Sequence, residues 1–112
     1  MKIKKILDSH GIKEPTYGIQ CEDGWSELVE YLINQIVPLG WDKNLVQIKE
    51  KFGGLRFYIG ESNREIDICI DWAEKMSFKI CEYCGSKQAK TKARGGWWKT
   101  MCDSCENEHR KL

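Results

Sequence analysis

Four cysteines constrain this chain more than any other feature. Cys81, Cys84, Cys102 and Cys105 fall in the pattern C-x2-C-x17-C-x2-C. Two residues between paired cysteines let one tight turn aim both sulfurs at one ion, and zinc accepts four thiolates tetrahedrally. Gly85, directly after Cys84, suits the sharp turn of such a knuckle. Beyond Cys81 the chain holds no aliphatic residue larger than alanine except Met101 and Leu112, so no ordinary hydrophobic core can form there. A tetrathiolate zinc supplies what the missing core cannot, on the order of 10 kcal/mol of folding free energy. A closed set of four sulfurs leaves no coordination position for water or substrate, which predicts a structural ion rather than a catalytic one. The alternative, a pair of redox-active CxxC dithiols, lacks a surrounding βαβ pattern. His109 is a possible substitute ligand that four cysteines make unnecessary.

At 112 residues there is room for one compact domain, or for a small domain with a satellite module. Apolar runs are only a few residues long, which predicts no membrane helix. The opening MKIKKILDSHGIKEP has no apolar stretch of secretory length, so the expected compartment is the cytoplasm, where paired cysteines serve as metal ligands rather than disulfides. Cys21 and Cys69 lie far from the two pairs and read as core or surface thiols.

The first two thirds read as an α+β layer. Residues 24–37 carry Trp25, Leu28, Val29, Leu32, Ile33 and Ile36 at helical spacing, with Asp23 as the candidate N-cap. Pro38 and Gly40 end that helix. Residues 45–60 read as a β-hairpin turning at Gly53-Gly54, which pairs Phe52 with Leu55, Glu50 with Phe57 and Ile48 with Ile59 on an apolar face. Lys49, Lys51, Arg56 and Tyr58 fall on the opposite face. Glu50 intrudes on the apolar one. It is either a base of raised pKa or the partner of Arg56, of a backbone donor or of a tryptophan N–H. Residues 64–78 form a second amphipathic helix with Ile66, Cys69, Ile70, Ala73 and Met76 inward. Residues 1–22 are a weak segment in which Ile3, Ile6 and Leu7 pack a short helix or strand on the main domain. The expected architecture is a helix–hairpin–helix layer over 1–78 with a zinc-ribbon or treble-clef-like module over 79–112. Within that module, strands over 88–93 and 97–101 flank an Arg94-Gly95-Gly96 turn.

Net charge is +1 for the whole chain, but it is unevenly distributed. Residues 79–112 carry eight Lys/Arg against four Asp/Glu, and four zinc-bound thiolates reduce that surplus to about +2. No acid lies between Glu82 and Asp103, where Lys87, Lys90, Lys92, Arg94 and Lys99 accompany Trp97 and Trp98. Adjacent strand residues point to opposite sides, so one tryptophan is expected to cover the knuckles or dock on the main domain and the other to face solvent. Cations beside exposed rings suit nucleic acid, with phosphates on the charges and bases on the rings. Lys49, Lys51, Arg56 and Tyr58 extend that surface. The same residues suit a protein interface, where Trp and Arg are frequent anchors. A solvated face with packed tryptophans is the structural alternative. No phosphate loop, Ser/His/Asp set or HExxH motif is present, so no enzymatic activity is expected.

The order of motifs resembles a family of small bacteriophage and prophage proteins. A Trp-bearing helix is followed by IKEKFGGLRFYIG, DWAEKMS, CEYCG, GGWWKT and CDSC, covering about residues 24–106. The resemblance implies a protein acting in a bacterial host cytoplasm and binding either nucleic acid or a host protein, for instance to block a defence or regulatory complex. It implies no catalytic residues.

Overall fold

The computed structural model describes residues 1–110. Its elements run α1 (Lys2–Ser9), β1 (Ile19–Gln20), a 3-10 turn (Asp23–Trp25), α2 (Ser26–Ile36), β2 (Leu45–Lys51), β3 (Gly54–Ile59), α3 (Arg64–Ser77), β4 (Lys90–Arg94), β5 (Trp97–Met101) and α4 (Asp103–Arg110). The fold is α+β, as the sequence predicts: helices pack on a small sheet, and a two-stranded hairpin with a four-cysteine cluster follows. The main core joins Ile3 and Leu7 of α1, Trp25, and the Leu28, Val29, Leu32, Ile33 and Ile36 stripe of α2. Ile48, Leu55 and Phe57 of the sheet and Ile66 and Ala73 of α3 complete it. A separate, smaller core gathers Met101 around three of the four cysteines.

The weak N-terminal segment forms a helix and then a short strand. β1 pairs parallel to β2, giving the order β1-β2-β3. Asp23 is not the side-chain cap of α2. Its carboxylate instead accepts the Lys2 N–H at 3.1 Å and so caps α1, which lacks a capping side chain of its own. Asn63 does cap its own helix, accepting the Ile66 N–H at 2.9 Å.

The β2–β3 hairpin corrects the expected register. Its turn is Phe52-Gly53, closed by the Lys51–Gly54 pair, so Ile48 faces Phe57 and Glu50 faces Leu55. Phe52 (φ 54°) and Gly53 (φ 88°) both occupy the left-handed region, the signature of a type I′ turn. Gly54 is glycine for a different reason: a Cβ there would run into the Phe78 ring. The slip moves each partner two residues along β3 and therefore leaves the expected faces intact. An irregularity between Leu45 and Gln47 then turns Leu45 inward. A phenylalanine at φ > 0 costs about 1–2 kcal/mol relative to glycine, because its Cβ crowds the following carbonyl.

The outer edge of β3 is covered. Ser77 Oγ accepts the Leu55 N–H at 2.8 Å and Glu74 Oε2 accepts the Phe57 N–H at 3.3 Å, both from α3. In Glu74, burial pushes the carboxyl above its ordinary range despite that N–H and the nearby Arg56 guanidinium, whose Nη1 lies 3.7 Å from Oε1.

A polar seam joins the main body to the C-terminal module. The Trp25 indole donates to the Ile80 carbonyl (2.9 Å), Gly24 N–H to the Glu82 carbonyl (2.7 Å) and the Glu22 N–H to Glu82 Oε2 (3.1 Å). On the other side, Thr100 Oγ1 donates to the Gly53 carbonyl (2.6 Å) and Thr91 Oγ1 to the Phe78 carbonyl (3.0 Å). A Cβ on Gly24 would collide with the Cys81 and Glu82 carbonyls, and one on Gly53 would press on the Thr91 methyl at 2.8 Å.

Candidate metal centre

The two CxxC pairs converge. All four sulfurs lie within 4.8 Å of one another, with Cys84 and Cys102 Sγ 3.5 Å apart. A regular tetrahedron built on zinc–sulfur bonds of about 2.3 Å has edges of about 3.8 Å, so the cluster has the dimensions to hold one metal ion. The first pair is a tight turn in which Gly85 N–H returns to the Cys81 carbonyl (3.0 Å) and Cys81 N–H reaches the Ser86 carbonyl (2.8 Å). Gly85 sits at φ 83°, as that turn requires. The second pair opens α4. Cys102 precedes the helix, its sulfur receives the Cys105 N–H (3.5 Å), and its carbonyl receives the Glu106 N–H (3.0 Å). Knuckle, hairpin and ligand-bearing helix follow one another in treble-clef order.

Burial pushes the Cys81 thiol up, but backbone N–H groups of Cys84, Cys102 and Tyr83 outweigh it and bring the group down to about 7. Cys105 moves the other way, raised by burial and by hydrogen bonding with the neighbouring sulfurs. Metal binding to such a cluster displaces the thiol protons, so a divalent cation suits four sulfurs held this close together. His109 lies outside this group, with its ring 4.3 Å from that of Tyr83.

β4 and β5 pair in the expected order. Arg94 ends β4, leaving Gly95 and Gly96, both at φ > 0, as the two turn residues. The expected presentation of basic residues is only partly realised. Lys90 is exposed. Arg94 is largely buried. Its guanidinium meets Glu106 Oε2 at 2.8 Å and donates to the Lys99 carbonyl at 2.6 Å. Lys92 reaches Glu106 Oε1 at 3.3 Å. Lys99 lies between Glu82 (3.3 Å) and Glu50 (3.6 Å). Burial would lower its pKa, but the two carboxylates raise it, so Lys99 stays charged. Glu82 itself is only 2% exposed, and burial raises its pKa against the pull of Lys99 and the Glu22 N–H. The run without acids therefore receives acids from outside it. Lys49 is half-buried opposite Arg56, while Lys51 and Tyr58 are exposed.

Neither tryptophan is buried. Trp97 is 74% and Trp98 50% exposed, so the expectation that one covers the knuckles or docks inward is corrected. The inward-facing roles at that end fall instead to Thr91 and Thr100, which hold the Gly53 turn. Sequence reasoning missed Phe52, which is 65% exposed at the neighbouring hairpin end. Its signal was a type I′ turn read one residue too late. It also missed Glu82 and Glu106 as internal counter-charges. Glu50, the intruder, accepts the Gly53 N–H at 2.7 Å, which is the backbone-donor alternative.

Compared with protein-family models, curated proteins and solved structures, the chain matches none. The resemblance to phage proteins thus has no support from these comparisons, and what stands is the cysteine cluster with the dimensions of a metal site. No helix among the described residues is long and apolar enough to cross a membrane.

Proposed function

We propose that this protein is a non-enzymatic binding protein of the cytoplasm in which a structural zinc ion fixes the C-terminal hairpin, and that the end of this hairpin contacts nucleic acid. The observation that carries the reading is the exposed pair Trp97 and Trp98 on a hairpin anchored at its base by four converging cysteines. Four thiolates in tetrahedral array suit zinc, which has no redox chemistry and no preference for an open site. With all four positions filled by sulfur, the ion organises Cys81, Cys84, Cys102 and Cys105 and leaves none for a substrate.

Arg94 and Lys99 are committed to Glu106, Glu82 and Glu50, so few cations remain for phosphates. Binding then depends more on ring stacking than on counterion release. With Lys51 and Lys90 as the exposed lysines of the two hairpins that make no ion pair among the described residues, the logarithm of affinity falls with the logarithm of salt at a slope of about −1 to −2. The same internal pairing favours a second reading, a protein partner anchored on Trp97 and Trp98. If the phage resemblance reflects kinship, that partner is a host defence or regulatory protein.

The test has two parts. Elemental analysis of freshly purified protein is expected to give stoichiometric zinc, and its absence refutes the structural ion. Fluorescence anisotropy with a labelled oligonucleotide is expected to show binding by the zinc-loaded protein, weakened by Trp97→Ala and lost on chelation. Host protein captured from lysate after nuclease treatment, with no oligonucleotide binding, selects the second reading.

A further inference from the structure

Phe52 is out of place by every local rule. It is a large apolar side chain, exposed, at the first central position of a type I′ turn, where asparagine, aspartate or glycine is favoured. Its surroundings hold it there. Glu50 grips the Gly53 N–H, Thr100 grips the Gly53 carbonyl, and the Thr91 methyl closes over Gly53. Strained conformations persist where their surroundings over-determine them, and they cluster at functional sites. The metal-supported hairpin thus clamps the turn that displays Phe52.

The second observation is what lies beside it. A groove of about 290 Å³ separates the two hairpin ends, lined by Glu50, Lys51, Phe52, Gly96, Trp97 and Trp98. That is close to the ~300 Å³ at which small-molecule sites begin. Three exposed rings from two separate hairpins line one groove. The Glu50 carboxylate accepts the Gly53 N–H and lies 3.6 Å from Lys99, and the exposed cation of this groove is the Lys51 ammonium, 5.7 Å from the Phe52 ring centre. Rings with a cation at their margin fit stacked bases with a phosphate beside them. Base faces are accessible to side chains only where the bases are unpaired. A duplex would instead need a longer track of free cations, which the pairing of Arg94 and Lys99 removes.

We infer that Phe52, Trp97 and Trp98 form one stacking platform for single-stranded nucleic acid, with Lys51 on the phosphate. This rests on the nucleic-acid reading above and narrows it to unpaired strands and to a residue on the other hairpin. The test uses the zinc-loaded full chain, a short fluorescent oligothymidine, and the same strand annealed to oligoadenosine. The single strand is expected to bind about tenfold or more tighter than the duplex. Phe52→Asn creates the favoured Asn-Gly turn, so its thermal midpoint is expected to hold or to rise by up to about 5 °C. Its affinity for the single strand is expected to fall about five- to a hundredfold. Phe52→Trp keeps a ring and is expected to keep binding. Opposite movement of stability and affinity in Phe52→Asn separates a recognition role from a structural one. Unchanged affinity in Phe52→Asn, with binding still lost in Trp97→Ala, overturns the platform and leaves the nucleic-acid reading standing. A large loss of stability in Phe52→Asn overturns the inference too, because it makes Phe52 a packing residue. No oligothymidine binding by the wild type overturns both.

Discussion

Gly24→Ala is the sharpest probe of how the metal module is held. Gly24 is not in the left-handed region, so alanine suffers no backbone penalty, and any effect is one of space. The added Cβ would meet the carbonyls of Cys81 and Glu82, which are backbone atoms and cannot rotate aside. Relief requires the seam to part. Overpacking of this kind costs about 1–3 kcal/mol. Parting the seam also strains the Gly24 N–H to Glu82 carbonyl bond and the Glu22 N–H to Glu82 Oε2 bond, each contributing about 1 kcal/mol, more where the acceptor is charged. The sum is about 3–5 kcal/mol, or a fall in thermal midpoint of about 10–20 °C for a chain of this size. Urea and thermal unfolding at saturating zinc measure it, and competition with a chromophoric chelator measures metal retention in parallel. The variant is expected to lose both stability and hold on the metal, because the Cys81 turn is part of the obstructed wall. Wild-type behaviour in both assays would refute the seam as described.

Other outcomes follow from particular groups. With the metal bound, a thiol reagent is expected to modify Cys69 slowly. The four cluster cysteines should react after chelation, and Cys21 only after denaturation, since burial and then Glu82 push its pKa up to about 12. Rapid native labelling of Cys21 would contradict that order. Glu74 gives a pH signature. Its folded pKa lies above the ordinary 4.5, so the folded state binds the extra proton and stability contributed by this group falls as pH rises from 4.5 through the folded value. Glu74→Gln removes that titration and is expected to flatten the decline relative to wild type in urea melts across weakly acid pH. A steeper decline would refute the sign.

Much of the metal site was legible because its determinants are local in sequence. The cysteine spacing, Gly85, and a segment too poor in aliphatics to fold alone all pointed to one ion. Helix α2 was legible through its apolar spacing, although Asp23 proved to cap α1 across space. The hairpin faces were legible through alternation, whereas the register was not. Two consecutive glycines suggested a turn, but one of them serves a ring contact with Phe78, which local reading cannot foresee. The surface charge was misjudged for a related reason. Counting charges along 83–102 shows no acids, yet Glu50, Glu82 and Glu106 reach in from a strand, from the knuckle and from a helix.

The α3 side chains along β3 have a consequence for association. Ser77 and Glu74 occupy the N–H groups of Leu55 and Phe57, which an incoming chain would need in order to extend the sheet. That border is closed to strand addition from a peptide or a second copy, including the runaway stacking that leads to fibrils. Cutting both side chains back to alanine would leave those two N–H groups without acceptors beneath α3, a cost of about 1–3 kcal/mol each.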